Sequence, residues 1–291
     1  MKIRWKTVAI IGVGMIGGSI GCALLERKLA ERKLAERVIG IGRRKASLAA
    51  AQKLGCVTET TTSIAQGVAD AELVVVCTPV ELVPQHLAEA AEHAPAGTLL
   101  TDVGSTKSAL VAEAEKLLRA QIAGPLPFVG SHPIAGSERT GADAARSDLF
   151  VGRTVVVTPT VASDDAATER IEQFWQSLDA QTVRMSPDEH DAALARTSHL
   201  PHLVASALAA ATPAELLPLT AGGWCDATRV AAGDPELWRQ ILAANSVHAL
   251  KALADFETVI CRLRNALEAG DGQGLADILR EGKIRRDAVG S

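Results

Sequence analysis

The stretch Thr7-Val-Ala-Ile-Ile-Gly-Val-Gly-Met-Ile-Gly17 predicts a buried strand, a glycine-rich turn and the first turn of a helix. In this context Gly12 allows the tight turn, Gly14 lets the backbone approach a pyrophosphate, and Gly17 lets helix and strand pack closely. The helix N-terminus would then face the phosphates with its partial positive charge. We therefore expect a dinucleotide cofactor to be bound here, by Gly12, Gly14, Met15, Ile16 and Gly17.

The end of the second predicted strand, Val38–Ile41, bears on which cofactor is used. A site that prefers NAD usually has Asp or Glu at this point, where it binds the ribose 2′-hydroxyl. Here Gly42 takes that place, and Arg43 and Arg44 follow it. A guanidinium can bind a phosphate through two donors. A solvated charge run at a helix start would look similar, but the pattern favours NADP over NAD.

Further apolar runs at 72–79, 98–102 and 153–158 alternate with helical patterns, which is typical of an α/β fold with a doubly wound, mostly parallel sheet. From Ser186 the pattern becomes almost wholly helical, with a capping serine, a proline and two acidic residues at the helix start. We therefore predict a Rossmann-type domain over residues 1–185 and an all-α domain over residues 186–291.

Several polar residues follow the strands of the predicted sheet. Ligands of such sheets bind beyond the carboxyl ends of the strands. Thr78 and Pro79 follow one strand, and Asp102 with Ser105 and Lys107 follows the next. Ser105 and Lys107 could equally cap the next helix. We expect Thr78, Pro79 and Ser105 to lie near the cofactor.

His132 lies in the stretch Gly130-Ser-His-Pro-Ile-Ala-Gly136. Pro133 lacks an amide hydrogen and restricts the residue before it, so we expect an irregular loop rather than a strand. Histidine changes charge near neutral pH, and a loop that presents it makes it a candidate acid or base. A solvent-exposed loop histidine is the alternative interpretation.

Composition excludes several classes of protein. The net charge of −4 argues against a nucleic-acid surface, and no apolar run is long enough to cross a membrane. We see no signal peptide at the N-terminus, and five cysteines without CxxC spacing favour reduced thiols over a disulfide scaffold or a zinc site. These features predict a cytoplasmic protein with no bound metal.

The helical half contains Ser198-His-Leu-Pro-His202, where Pro201 should kink the helix and where Ser198 and His202 share a face. Arg229 is the only Lys or Arg between 196 and 239, so we expect it to pair with an internal carboxylate or with a substrate. A helix from Asp234 to about Leu267 has more apolar surface than one small domain covers, which predicts a homodimer.

Taken together, the Gly130–Gly136 stretch, the Ser198–His202 motif and Asp226-Ala-Thr-Arg229 resemble the prephenate/arogenate dehydrogenase family of tyrosine biosynthesis over residues 7–285. The resemblance implies oxidative decarboxylation of prephenate or arogenate with hydride transfer to a nicotinamide. It also implies roles for particular residues: His132 as the base, Ser105 sharing the substrate's C4 hydroxyl, Arg229 holding a carboxylate, and Ser198, His202, Ser137 and Glu138 contacting the substrate.

A sequence repeat, the residue Glu138 and two alternative functions bear on this interpretation. The tandem copy of Glu-Arg-Lys-Leu-Ala at 26–35 departs from the family's spacing, and we expect an exposed helix end or a looped-out insertion. Glu138 could favour the ammonium group of arogenate. A β-hydroxyacid-type dehydrogenase is a close rival, but it would use a lysine that 186–211 lacks, and a non-catalytic NADP sensor would not need His132, Ser198, His202 and Arg229 together.

Overall fold

A computed structural model describes residues 4–26, 33–136, 139 and 141–290. Its strands are β1 (Trp5–Ile11), β2 (Ala35–Ile41), β3 (Glu59–Thr61), β4 (Leu73–Val76), β5 (Leu99–Asp102), β6 (Phe128–Pro133), β7 (Thr154–Thr158) and β8 (Gln181–Arg184). They form one sheet in the order β3-β2-β1-β4-β5-β6-β7-β8, and every pair is parallel except β6 with β7. The predicted doubly wound sheet is therefore confirmed.

Helices cover both faces of this sheet. They are α1 (Met15–Leu25), α2 (Lys45–Lys53), α3 (Ile64–Val68), α4 (Val83–His93), α5 (Ser108–Arg119) and α6 (Asp165–Ser177). Two apolar clusters, one on each face, bury the central strands completely, with Val75 in one cluster and Val74 in the other. Burial on both sides explains why β4 is an uninterrupted valine and leucine run instead of an alternating one.

Beyond β8 the described chain contains helices only. They are α7 (Pro187–Leu194), α8 (Leu200–Ala211), α9 (Gly222–Thr228), α10 (Pro235–Ala244), α11 (Ser246–Glu268) and α12 (Gly272–Asp287). A capping box between Ser186 and Glu189 starts α7. A π-helical turn, Ala195–His199, comes just before Pro201, where the proline ring prevents regular hydrogen bonding. None of the described helices is long and apolar enough to cross a membrane.

The glycine-rich turn has the close contacts that its sequence predicts at Gly12 and Gly17. Gly12 has φ +98°, and a Cβ there would lie 2.7 Å from the carbonyl oxygen of Cys77. A Cβ on Gly17 would lie 2.2 Å from the carbonyl oxygen of Gly12, so the helix can approach the strand only because no side chain is present. At Gly14 an added Cβ would meet nothing within 4 Å, which leaves open space beside the backbone for a ligand.

The expectation of an irregular loop around His132 was wrong. His132 lies in β6, where it pairs with Val156 of β7. The amide of Ile134 donates to Thr154 at 2.8 Å, so the nitrogen of Pro133 points away from β7. On that other side the pairing with β5 ends at Val129, and the missing N–H of Pro133 therefore breaks no ladder bond.

The single long helix predicted from Asp234 to Leu267 was also wrong. The chain breaks at Asn245, whose φ of −119° and ψ of 32° separate α10 from α11. Its side-chain amide donates to the carbonyl oxygen of Asp191 at 2.8 Å and lies 3.1 Å from Nδ1 of His199. A tertiary contact thus interrupts a pattern that is helical throughout. The tandem copy at 26–35 falls mostly on residues 27–32, which lie outside the described residues.

Candidate active site

A cavity of about 570 Å³ opens at the carboxyl ends of β1, β2 and β4. The glycine-rich turn forms one wall and the Thr78-Pro79 turn forms another. Arg43 and Arg44 stand at the end that follows β2. Of the predicted cofactor residues, Gly12, Gly14, Arg43, Arg44, Thr78 and Pro79 line this cavity, whereas Met15, Ile16, Gly17 and Ser105 lie outside the lining formed by the described residues.

Two cations, Arg43 and Arg44, stand at one end of the cavity. Arg43 and Arg44 are exposed, and neither forms an ion pair within the described ranges. His86, which sequence reasoning did not single out, lies beside them and is 2.9 Å from the hydroxyl of Thr78 through Nδ1. Burial lowers the pKa of His86, and Arg43 lowers it further although Glu89 opposes the shift. The cavity therefore offers cations and donors at one end.

A chain of hydrogen bonds runs from His132 into the helical half of the protein. Nδ1 of His132 lies 2.8 Å from Nε2 of His190, and Nδ1 of His190 lies 2.8 Å from Oδ1 of Asp191. The two Asp191 oxygens also accept the backbone N–H groups of Lys107 and Ser108, each at 2.8 Å. His190 and Asp191 are fully buried, whereas His132 is half-buried.

A buried ion pair lies beside this chain. Nζ of Lys107 is 2.7 Å from Oδ2 of Asp102, and both side chains are inaccessible to solvent. Burial lowers the pKa of Lys107, although the contacts with Asp102 counteract this shift. Burial also lowers the pKa of His132 well below 6.5, and the positive charge of Lys107 adds to the effect. His132 is therefore neutral at neutral pH, which is the form that can accept a proton.

Residues of the helical half, in α8, the turn Arg229–Ala232 and α10, complete the candidate site. The imidazole of His202 stacks on the indole of Trp238 with ring centroids 3.6 Å apart, and Nδ1 of His202 is buried without a partner in the described part of the chain. The turn Arg229–Ala232 packs on α8, which carries His202. Arg229 is exposed and has no ion-pair partner in the described part of the chain, and Ser198 is half-buried.

The structure brings together only part of the predicted set. Ser105 is half-buried in the loop between β5 and α5, near the Lys107 end of the hydrogen-bond chain. Ser137 and Glu138 lie outside the described residues. Sequence reasoning gave no site role to His190, Asp191, Asn245 or Trp238. The adjacent His190-Asp191 pair in α7 was the signal available for the first two. No cluster of potential metal ligands occurs among the described residues.

Family models match nearly the whole chain. The model for "Prephenate dehydrogenase, nucleotide-binding domain" matches residues 25–184, and that for "Prephenate dehydrogenase, dimerization domain" matches residues 186–281. A prephenate dehydrogenase of Bacillus subtilis is 35% identical over 97% of this chain and 76% of its own length. A cyclohexadienyl dehydrogenase of Zymomonas mobilis is 31% identical over 98% of this chain and 96% of its own.

Solved structures of prephenate and arogenate dehydrogenases also resemble this chain. Prephenate dehydrogenase from Aquifex aeolicus, in complex with hydroxyphenyl propionate and NAD+, superposes with a TM-score of 0.88 at 30% identity and covers 99% of this chain and 100% of that one. The arogenate dehydrogenase of Synechocystis superposes with a TM-score of 0.82 at 27% identity, and the match covers 97% of this chain and 99% of that one. A 3-hydroxyisobutyrate dehydrogenase of Mycobacterium tuberculosis shares only the fold. Its TM-score is 0.52 at 16% identity, and the match covers 80% of this chain and 72% of that one.

Lys107→Met should lower the free energy of unfolding by about 3–5 kcal/mol, because it leaves the buried carboxylate of Asp102 without its cation. The same change at Lys116, whose ion pair with Glu113 is exposed, should alter it by less than about 1 kcal/mol. Urea unfolding of both variants measures the difference. If both variants lost the same small amount of unfolding free energy, the buried Lys107–Asp102 pair would contribute no more to stability than the exposed Lys116–Glu113 pair.

Proposed function

This chain belongs to the prephenate dehydrogenase family, and from that premise we propose that it oxidatively decarboxylates prephenate, arogenate or both, with NADP as the preferred hydride acceptor. The family makes it an oxidoreductase with a nucleotide-binding domain. The observation that carries the proposal is the position of His132, a neutral imidazole at the end of β6 whose Nδ1 is engaged by His190.

The reaction requires a base, a cation for a carboxylate and exclusion of water. Hydride acceptance from C4 of the ring is the chemistry that a bound nicotinamide supplies. His132 takes the proton of the C4 hydroxyl as hydride departs, which requires its Nε2 to carry a lone pair. Once C4 is a carbonyl, the ring loses carbon dioxide and becomes aromatic. His132 is the residue on which the first step depends.

The other roles are assigned by the resemblance and by exposure. Ser105 shares the C4 hydroxyl with His132, and Ser198 and His202 contact the substrate from the helical side. Arg229 binds a substrate carboxylate, a role supported by its exposed and unpaired guanidinium among the described residues. The buried and unpartnered Nδ1 of His202 supports a polar ligand at that face. The resemblance also assigns substrate contacts to Ser137 and Glu138, which lie outside the described residues.

The preference for NADP rests on the end of β2. Gly42 replaces the acidic residue that would bind a 2′-hydroxyl, and two guanidinium groups border the cavity without ion-pair partners among the described residues. A 2′-phosphate would supply the missing negative charge. The open space beside Gly14 and the lack of a Cβ at Gly12 fit the pyrophosphate of either NADP or NAD. The NAD+ complex of the Aquifex protein keeps NAD as the alternative.

We also propose that residues 186–291 form a separate, homodimerising domain and that the protein is cytoplasmic. The match to a dimerization domain supports the first part, as do exposed apolar side chains on the last two helices, namely Val247, Leu250, Leu267, Leu279 and Ile284. A single chain leaves this surface in water, which favours association.

The function is tested by following reduced-nicotinamide absorbance in four mixtures, prephenate or arogenate with NADP or NAD. We expect a signal with at least one substrate and a larger kcat/KM with NADP.

Arg43→Ala with Arg44→Ala should reduce the NADP rate more than the NAD rate, because only NADP has the 2′-phosphate. Activity with NAD but not with NADP would overturn the cofactor preference. No absorbance change in any of the four mixtures would favour the alternative of a non-catalytic NADP sensor. In the same assay, an unchanged substrate preference in Glu138→Gln would exclude that residue as the selector.

Two variants separate catalysis from binding. His132→Asn should lower kcat by about 10²-fold or more with little change in substrate KM, since it removes the base and leaves the carboxylate contact. Arg229→Ala should raise the KM for the substrate far more than the KM for the dinucleotide. Steady-state kinetics with each ligand varied in turn measures both. Parallel losses for both ligands in Arg229→Ala would indicate a folding defect.

Leu250→Glu should convert the dimer into monomers, because it places a charge on an exposed apolar surface of α11 that association would bury. Light scattering at several protein concentrations measures the mass. Glu92→Lys, a change at an exposed position of α4 far along the chain from this surface, is the control and should leave the mass unchanged. A wild-type protein that is monomeric at all concentrations would contradict the proposed dimer.

A further inference from the structure

The contacts of Asp191 fix the positions of the protons along the hydrogen-bond chain. Its carboxylate accepts two backbone N–H groups at the start of α5, where the helix dipole also favours a negative charge. Burial opposes ionisation, but the hydrogen bonds from His190 and from these amides outweigh it and hold the pKa of Asp191 below its usual value. Asp191 is therefore an acceptor toward His190, not a donor.

An acceptor at Asp191 determines both histidine tautomers. Nδ1 of His190 must carry the hydrogen in its 2.8 Å contact with Asp191, so Nε2 of the neutral ring is a lone pair. Nδ1 of His132 then has to donate to that lone pair across the second 2.8 Å contact, because two lone pairs would repel. Nε2 of His132 is left bare, and it has no hydrogen-bond partner among the described residues.

The proposed reaction neither releases nor consumes a proton overall. The C4 hydroxyl loses its proton when C4 becomes a carbonyl. When carbon dioxide leaves, the bonding electrons aromatise the ring and place a negative charge on the C4 oxygen, which takes the proton back. The protein therefore has to hold one proton between the two steps. Because burial and Lys107 disfavour a charged His132, holding it on that ring alone is unfavourable.

We propose that His190 and Asp191 are positioning residues that keep Nε2 of His132 unprotonated and store the substrate's proton during turnover. The hydroxyl proton moves to Nε2 of His132, and the Nδ1 proton of His132 moves to Nε2 of His190. The resulting imidazolium of His190 is adjacent to the Asp191 carboxylate. Both transfers reverse after decarboxylation. The inference rests on the proposed function, and it extends that function to two residues of the helical half.

Among the described residues, four charged or titratable groups face this pair of histidines. Asp102 and Lys107 face it from the β5–α5 segment, Asp191 from α7, and His199 from the π-helical turn. The paired strand β7 contributes no titratable side chain. Asn245 lies against both His199 and the backbone of Asp191, so it fixes the geometry without adding charge.

The first test does not depend on catalysis. The chain has seven histidines, so nitrogen-15 histidine labelling and two-bond proton–nitrogen NMR can resolve their tautomers, with His132→Asn assigning the key ring. We expect a protonated Nδ1 and a bare Nε2 on His132, and the reverse in Asp191→Asn, whose amide can donate to His190. A protonated Nε2 in the wild-type protein would overturn the proposal whether or not the proposed function holds.

The second test uses kinetics. Asp191→Asn should lower kcat by about 10²-fold or more while changing both KM values only a few-fold. His190→Gln keeps an acceptor for His132 but cannot hold a proton, so its kcat should fall by at least about 10-fold with the His132 tautomer retained. Asp188→Asn, an exposed change on the same helix, is the matched control and should keep the wild-type rate. Wild-type turnover in either His190→Gln or Asp191→Asn would overturn the store.

The pH dependence provides a readout that a purely structural role would not change. The store works only while His132 is neutral in the free enzyme, so kcat/KM should be constant at high pH and fall as pH drops through the pKa of His132. The wild-type fall should begin below pH 6.5, because the environment lowers the pKa of His132. Asp188→Asn should reproduce this profile and Asp191→Asn should not. Identical profiles in all three proteins would contradict the proposal.

Discussion

The contact between the carboxylate of Asp191 and the start of α5 is the interaction on which the rest of the site depends. The first amides of a helix have no partners within it, and α5 has no side-chain cap from its own N-cap residue, Lys107. Asp191 supplies the cap from 84 residues further along the chain. One ion therefore stabilises a helix of the sheet domain, attaches the helical domain to it and aligns His190 with His132.

The buried pair of Lys107 and Asp102 gives this arrangement its electrostatic character. Burial lowers the pKa of His132, and the cation of Lys107 lowers it further, so both favour the neutral imidazole. The same effect would make His132 a poor base if no further acceptor existed. Asp102 pairs directly with Lys107, and the second buried carboxylate, that of Asp191 beyond His190, favours movement of a positive charge toward the helical half.

The parts of this protein that the sequence predicts are those decided locally. Gly12, Gly14 and Gly17 have roles that follow from backbone geometry within one turn, and the valine-rich strands follow from burial on both faces. The sequence marks His132 as a candidate acid or base, but its placement in a strand depends on where β5 ends. Asn245 interrupts a sequence that is helical by pattern, because its side chain binds residues about 50 positions away. Contacts of this kind leave no periodic signal.

The division of labour between the two domains argues for catalysis over simple recognition of a dinucleotide. The cavity at the glycine-rich turn is built by the sheet domain, and a sensor would need little more. Here the partner of the candidate base comes from α7, and α10 packs on the turn Val80–Leu82 beside that cavity. The helical domain therefore contacts both the base and the wall of the cavity. Oxidation at C4 of a bound ring needs such an arrangement, because the proton acceptor has to reach the C4 hydroxyl while the hydride acceptor lies against C4.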